Sequence, residues 1–255
     1  MHFELFRIGP ITVYTYGFMI AVGILSAYFV TEKRAQKMGI NTQKFDLLCV
    51  WLLIGGFACS KIFYWLTRFG DILNDPSIML NLADGWVVYG GIIGGLLAGL
   101  LWCKKEDLNF LQMADLIIPQ VALAQGFGRL GCFFAGCCYG LPTTEWYGIT
   151  FPAGSLAPAG TPLIPTPLIS AAFDFGLFFF LIWLSKKSEY QGDVCAWYLI
   201  LYSAGRFVLE FVRGDLIRGH AGMFSTSQWI SIFMFIAGIC MLIVIRKHND
   251  SSKPA

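Results

Sequence analysis

Charged side chains are scarce in this sequence. Its 255 residues include 18 Lys and Arg and 16 Asp and Glu, 13% of the chain, where a soluble domain carries about 25%. So small a share excludes an intrinsically disordered chain, a basic nucleic-acid binder and an ordinary cytosolic enzyme. Histidine is rarer still. His2, His220 and His248 all fall outside the long apolar runs, so no imidazole is available inside them as a base. The chain lacks internal repeats and low-complexity tracts. Its one close cysteine group, C-x4-C-C at Cys132, Cys137 and Cys138, matches no zinc template.

Apolar sequence is abundant instead: 56% of residues are hydrophobic and the mean hydropathy is +0.64. A membrane-crossing helix needs about 20 mostly apolar residues. Seven runs qualify, at about 8–31, 46–66, 86–103, 113–134, 166–184, 194–212 and 226–245. The expected fold class is an all-α integral membrane protein of about seven transmembrane helices. It forms one domain over residues 1–255, with a small Gly- and Pro-rich loop region at about 135–165. The fourth run is interrupted by Pro119, Gln120 and Gln125 and reads as a kinked or re-entrant helix, tolerable only where protein or a cavity satisfies its backbone. The first run is too long for a cleaved signal peptide and is followed by no small-x-small site, so it is expected to be retained.

Lys and Arg in short loops set orientation. Lys33, Arg34, Lys37, Lys44, Lys104, Lys105, Lys186, Lys187, Arg246, Lys247 and Lys253 fall on one side, and only Arg7, Arg68 and Arg218 on the other. The N-terminus is therefore expected outside and the C-terminus in the cytoplasm. Lys61, Arg129, Arg206 and Arg213 remain, inside or at the edge of apolar runs, with Asp174, Glu210 and, nearer an interface, Asp115. Ionisable groups at membrane depth are costly and face a protein interior or a wet cavity.

Tyr198, Tyr202, Arg206, Glu210 and Arg213 are spaced by four, four, four and three, which puts them on one helical face. Glu210 can bridge Arg206 or Arg213 as a structural pair, but one acid does not neutralise two cations. The surplus charge calls for an anion, and a lipid phosphate accepts a guanidinium bidentately. Gly126–Phe127–Gly128–Arg129–Leu130–Gly131 adds a third arginine among glycines that permit close approach. In the third run Gly91, Gly95 and Gly99 form a small-xxx-small face suited to helix packing, while Tyr89 and Gly90 are candidates to line a cavity. Tyr14, Tyr16 and Gly17 lie near the outer end of the first run, as interfacial anchors or as part of a site. The cysteine group is open to a disulfide if it faces an oxidising compartment.

These residues resemble the bacterial prolipoprotein diacylglyceryl transferase family. Residues Gly128 to Gly140 follow its G-R-[LI]-G-N-F-x-N-G-E-x-x-G signature. Tyr16–Gly17 is similar to the Tyr-Gly of its first helix, Lys61 to Tyr64 to R-[LI]-x-Y, and Tyr89 to Gly94 to H-G-G-[LM]-x-G. Asp115 and Pro119 fit D-x-x-x-P. Arg206, Glu210 and Arg213 fit Y-x-x-x-R-x-x-x-E-x-x-R, and Ser227–Gln228 fits the start of the last helix. The departures are Tyr89 for His, Cys132 for Asn, Ala135 and Cys137 for Asn and Glu, and a segment at 164–170 without its His, Gln, Tyr and Glu.

The resemblance implies transfer of diacylglyceryl from phosphatidylglycerol to the lipobox cysteine of a preprolipoprotein, giving a thioether and glycerol 1-phosphate. It implies the bacterial cytoplasmic membrane with the site toward the outer face, and neither metal nor cofactor. Arg129 and Arg206 would stabilise the leaving phosphate, as preorganised cations do in a water-poor site. Glu210 would orient Arg206. Arg213, Lys61, Tyr16, Gly90, Gly91 and Gly140 would contact substrate. Tyr89 would position by hydrogen bonding, with service as a base the lesser role, since a phenol near pKa 10 is a poor base. Three other readings stay open: a related transferase with another acceptor, a non-catalytic phospholipid-binding or transport protein, and a thiol redox protein built on Cys132, Cys137 and Cys138.

Overall fold

The computed structural model describes residues 4–9, 11–81, 85–152, 154–215 and 220–250. His2, Arg218 and Lys253 lie outside the described residues. The chain opens with an antiparallel hairpin, β1 (Glu4–Ile8) and β2 (Ile11–Tyr14), in which Phe6 faces Val13 and Arg7 faces Thr12. Gly9 has φ +56° in its turn, a left-handed conformation that favours glycine. This corrects the expected start of the first span at residue 8. The strand residues are apolar enough to read as membrane sequence, but Gly9–Pro10 breaks the run.

Helix α1 (Thr15–Lys37) follows, then α2 (Thr42–Thr67), capped by Asn41, whose side chain accepts from the Gln43 N–H at 2.8 Å. A short helix α3 (Phe69–Asn74) and a 3₁₀ turn (Pro76–Leu80) occupy the connection to α4 (Val88–Lys105). Then come α5 (Phe110–Ala135), the strand pair β3 (Ile149–Thr150) and β4 (Pro162–Leu163), α6 (Thr166–Lys187) and α7 (Asp193–Glu210). The strand pair β5 (His220–Ala221) and β6 (Phe224–Ser225) leads into α8 (Thr226–Asp250).

Five of these helices are long and apolar enough to cross a membrane: α1, α2, α5, α6 and α8. The protein is thus mostly helical and of membrane type. Of the other two long helices, α7 carries Asp193, Arg206 and Glu210, and α4 is rich in glycine and ends on Lys104 and Lys105. α5 is one continuous helix that carries Pro119 within it, which corrects the re-entrant reading.

The chain divides into two compact units, Glu32–Met113 and Met1–Thr31 with Ala114–Ala255. In the first, α4 packs along α2. A Cβ on Gly94 would collide with the Gly55 carbonyl and Cys59, and one on Gly90 would lie 2.8 Å from the Cys59 carbonyl oxygen. Gly95, by contrast, has nothing nearer than 4.0 Å. The tight seam is therefore Gly90 and Gly94, one residue round the helix from the expected Gly91 and Gly95, while the expected Gly99 does pack on α2, its Cβ position 3.2 Å from Leu52. Close backbone approach gains dispersion contacts where lipid offers no hydrophobic drive.

In the second unit, Ala122, Leu177, Phe178, Leu181 and Val194 form a core between α5, α6 and the start of α7. A Cβ on Gly238 would lie 2.8 Å from Ile200, so α8 lies close on α7. Asp115 of α5 accepts from the N–H groups of Gly192 at 2.6 Å and Cys195 at 2.8 Å. It satisfies N–H groups that a helix start leaves unpaired and places an anion at the positive end of the α7 dipole.

Candidate active site

The polar stripe of α7 forms as its spacing predicts for four of its five members. The Tyr198 hydroxyl donates to Gln125 Oε1 of α5 at 3.0 Å, and its ring stacks on Tyr202 at 5.3 Å. Arg206 pairs with Glu210 at 2.7 Å, and its other terminal nitrogen donates to Ser227 Oγ of α8, also at 2.7 Å. Their side chains are only 12% and 7% exposed. The Arg206–Glu210 pair that the spacing allows is thus formed.

Arg213 departs from the expectation. α7 ends at Glu210, and Arg213 lies beyond it in a β-bridge with Gly140. Its guanidinium grips Asp215 with two hydrogen bonds, Nε to Oδ1 at 3.0 Å and Nη2 to Oδ2 at 2.8 Å. The surplus cation assigned to Arg213 is thus met within the chain. Asp215 was missed because a partner two residues away in a turn lies outside helical spacing.

Gly140 explains itself by packing. Its N–H donates to the Ile164 carbonyl at 2.9 Å, and the Leu141 N–H donates to the Val212 carbonyl at 3.0 Å. A Cβ there would sit 2.7 Å from Ile164 Cβ and 2.8 Å from the Val212 oxygen. Glycine is what lets the three segments meet.

Arg129 is the exception among the buried cations. It is half-buried on α5 and makes neither a hydrogen bond nor an ion pair among the described residues. The groups within its field are Tyr202, Cys132, Cys138 and Asp174. The surrounding glycines divide the labour. Gly126 abuts the Phe175 ring of α6, Gly131 lies under the Tyr16 ring of α1, and Gly128 faces open space beside the arginine. Tyr16 lies within the electrostatic reach of Arg129 and of the three cysteines. It also lines an apolar pocket of about 590 Å³ with Thr12, Val13, Tyr14, Gly17, Phe18 and Ala135.

Cys132, Cys137 and Cys138 do come together, as free thiols and not in the disulfide to which the sequence is open. Cys138 lies in the loop after α5. Its thiol is held below the usual range by the neighbouring Cys132 and Cys137, and then by the charges of Arg213 and Arg129.

In the other unit, Lys61 is 5% exposed. Its Nζ donates to the Asn81 carbonyl at 2.7 Å and lies over the rings of Tyr64 and Trp86 at 5.0 and 5.2 Å. Gly90 is buried in the α2–α4 seam, Gly91 is half-buried, and Tyr89 is 48% exposed at the start of α4.

The family description of prolipoprotein diacylglyceryl transferase matches residues 4–244. The chain is 45% identical over 242 residues to a phosphatidylglycerol–prolipoprotein diacylglyceryl transferase of Clostridium tetani, covering 95% of this chain and 97% of that protein. It is 46% identical over 242 residues to a second such transferase of Clostridium perfringens, covering 94% of each. With the transferase of Clostridioides difficile it shares 31% over 248 residues, 97% of this chain and 96% of that one.

Proposed function

Because this chain belongs to the prolipoprotein diacylglyceryl transferase family, we propose that it transfers the diacylglyceryl group of phosphatidylglycerol to a prolipoprotein. The acceptor is the thiol of a lipobox cysteine. The products are a thioether and glycerol 1-phosphate. A sulfur–carbon bond forms at the glyceryl carbon and the carbon–oxygen bond to phosphate breaks. The proton lost by the thiol balances the charge gained by the leaving phosphate monoester.

The observation that carries this reading is the Arg129 guanidinium, which makes no ion pair or hydrogen bond among the described residues and acts on the phenol of Tyr16, itself part of the lining of an apolar pocket. A half-buried cation at membrane depth with no direct ion pair among the described residues is suited to a phosphodiester head group. As charge develops on the leaving oxygen, the same cation becomes more stabilising, which is what lowers a barrier. Its field also favours the thiolate, the nucleophilic form of the acceptor. Arg206, held by Glu210 and Ser227, is the second cation; Tyr16 and Arg213 contact the head group, and Gly140 shapes the loop beside them. The assignments of Tyr89 as a positioning hydroxyl, and of Gly90, Gly91 and Lys61 to substrate contacts, rest on the sequence motifs.

The chain is read as a single membrane domain crossing seven times, with its N-terminus outside and the site toward the outer face of the bacterial cytoplasmic membrane. The support is the basic residues at the ends of α1, α4, α6 and α8, which alternate with loops poor in Lys and Arg. Incubation with phosphatidylglycerol vesicles and a lipobox peptide tests the function: mass spectrometry should find the peptide heavier by one thioether-linked diacylglyceryl group. Unmodified peptide with no glycerol phosphate refutes it. Glycerol phosphate without modified peptide would indicate a different acceptor, the reading that the altered segment at 164–170 favours.

A further inference from the structure

The transfer chemistry leaves Cys132, Cys137 and Cys138 without a task, since the nucleophilic thiol comes from the substrate. Their Sγ atoms nevertheless lie within 4.8 Å of one another, and all three thiols are free and half-buried. The backbone sets this up. The Cys132 carbonyl accepts from the Cys137 N–H at 3.0 Å and from its thiol at 3.6 Å. Gly136 and Cys138 both adopt left-handed backbone, φ +65° and +60°. Thr166 Oγ1 donates to the Cys138 carbonyl at 2.6 Å. A left-handed φ is uncommon outside glycine and persists where neighbours over-determine it. Here the two reversals return Cys138 to Cys132, across a spacing that no linear metal motif would suggest.

We propose that Cys132, Cys137 and Cys138 form a three-thiolate site for a soft d¹⁰ cation of the zinc and cadmium class. Thiolates about 2.3 Å from such an ion stand about 4 Å apart, so movements of less than about 1 Å close the site. Three sulfurs and no carboxylate select soft ions over magnesium or calcium. On binding, three S–H protons leave and three sulfur–metal bonds form, so a divalent ion gives a centre of charge −1. That charge falls in the fields of Arg129 and Arg213, which both act on Cys138. The site does not depend on the transferase reading, since it rests on the thiol geometry alone.

Cadmium ion titrated into the reduced, metal-stripped full-length protein in detergent provides the test. One equivalent should bind with a thiolate-to-cadmium charge-transfer band. Cys132→Ser, Cys137→Ser and Cys138→Ser should each weaken binding by more than roughly tenfold, whereas Cys240→Ser, on α8, should leave it unchanged. The unmutated protein gives an independent reading: saturating zinc should protect the three cysteines from alkylation while Cys240 still labels. Absence of saturable binding, undiminished binding in the triple serine variant, or alkylation indifferent to zinc overturns the proposal.

Discussion

Arg129 and Arg206 both face substrate in the proposed reaction, but their surroundings make opposite demands on folding, and paired substitutions separate them. Arg206→Ala strips the partner from Glu210, whose side chain is only 7% exposed, and from Ser227. Breaking a buried pair from one side costs about 3–5 kcal/mol, because a buried charge loses its counter-ion. Arg129→Ala breaks no ion pair and no hydrogen bond among the described residues. Its effect on stability should stay near the ordinary cost of about 1 kcal/mol. Turnover should nonetheless fall roughly 10²- to 10³-fold or more, the loss that follows removal of one charge-stabilising donor. The assay is the initial rate of diacylglyceryl transfer at fixed phosphatidylglycerol fraction, with an unfolding midpoint in the same detergent. Arg206→Met with Glu210→Met should recover stability without recovering activity, because no charge is then left unpaired. Two results would refute the reasoning: Arg129→Ala turning over within about threefold of the parent protein, or unfolding as early as Arg206→Ala.

Other substitutions probe the frame around these residues. Gly94→Ala should destabilise by about 1–3 kcal/mol, since its Cβ meets the Gly55 carbonyl, whereas Gly95→Ala should be tolerated; thermal unfolding of the two variants decides this. Asp115→Ala should cost about 1–2 kcal/mol by uncapping α7, seen as earlier loss of helical circular dichroism. Asp215→Asn weakens the two-point grip on Arg213, and a loss of about 1.5–3 kcal/mol is expected, read by the same unfolding curve. Cys132→Ala should retain measurable transfer activity, because the reacting thiol belongs to the acceptor peptide; a dead but folded variant would assign chemistry to the enzyme's own sulfur.

Much of the frame was legible because helical spacing is local. The run 198, 202, 206 and 210 needs only a four-residue period to predict one face, and the structure puts its members against Gln125 and Ser227. What escaped depends on geometry that composition does not carry. Hydropathy cannot separate a short apolar hairpin from the first turns of a helix, so residues 8–14 were absorbed into the first span. Asp115 finds its role 77 residues away. Asp215 pairs through a turn that begins where α7 stops. The thiol group assembles through two left-handed residues, Gly136 and Cys138. The glycine-rich face of α4 was correctly read as packing, but the seam rotated by one position, because the partner glycine on α2 decides which row comes closest.

The stitch around Gly140 has a mechanical consequence. The segments after α5, before α6 and after α7 are laced to one another through Ile164, Leu141 and Val212. At that end the three helices cannot spread without tearing backbone pairs. Asp115 fastens α5 to the start of α7 at the opposite end, so these two helices are held together at both ends.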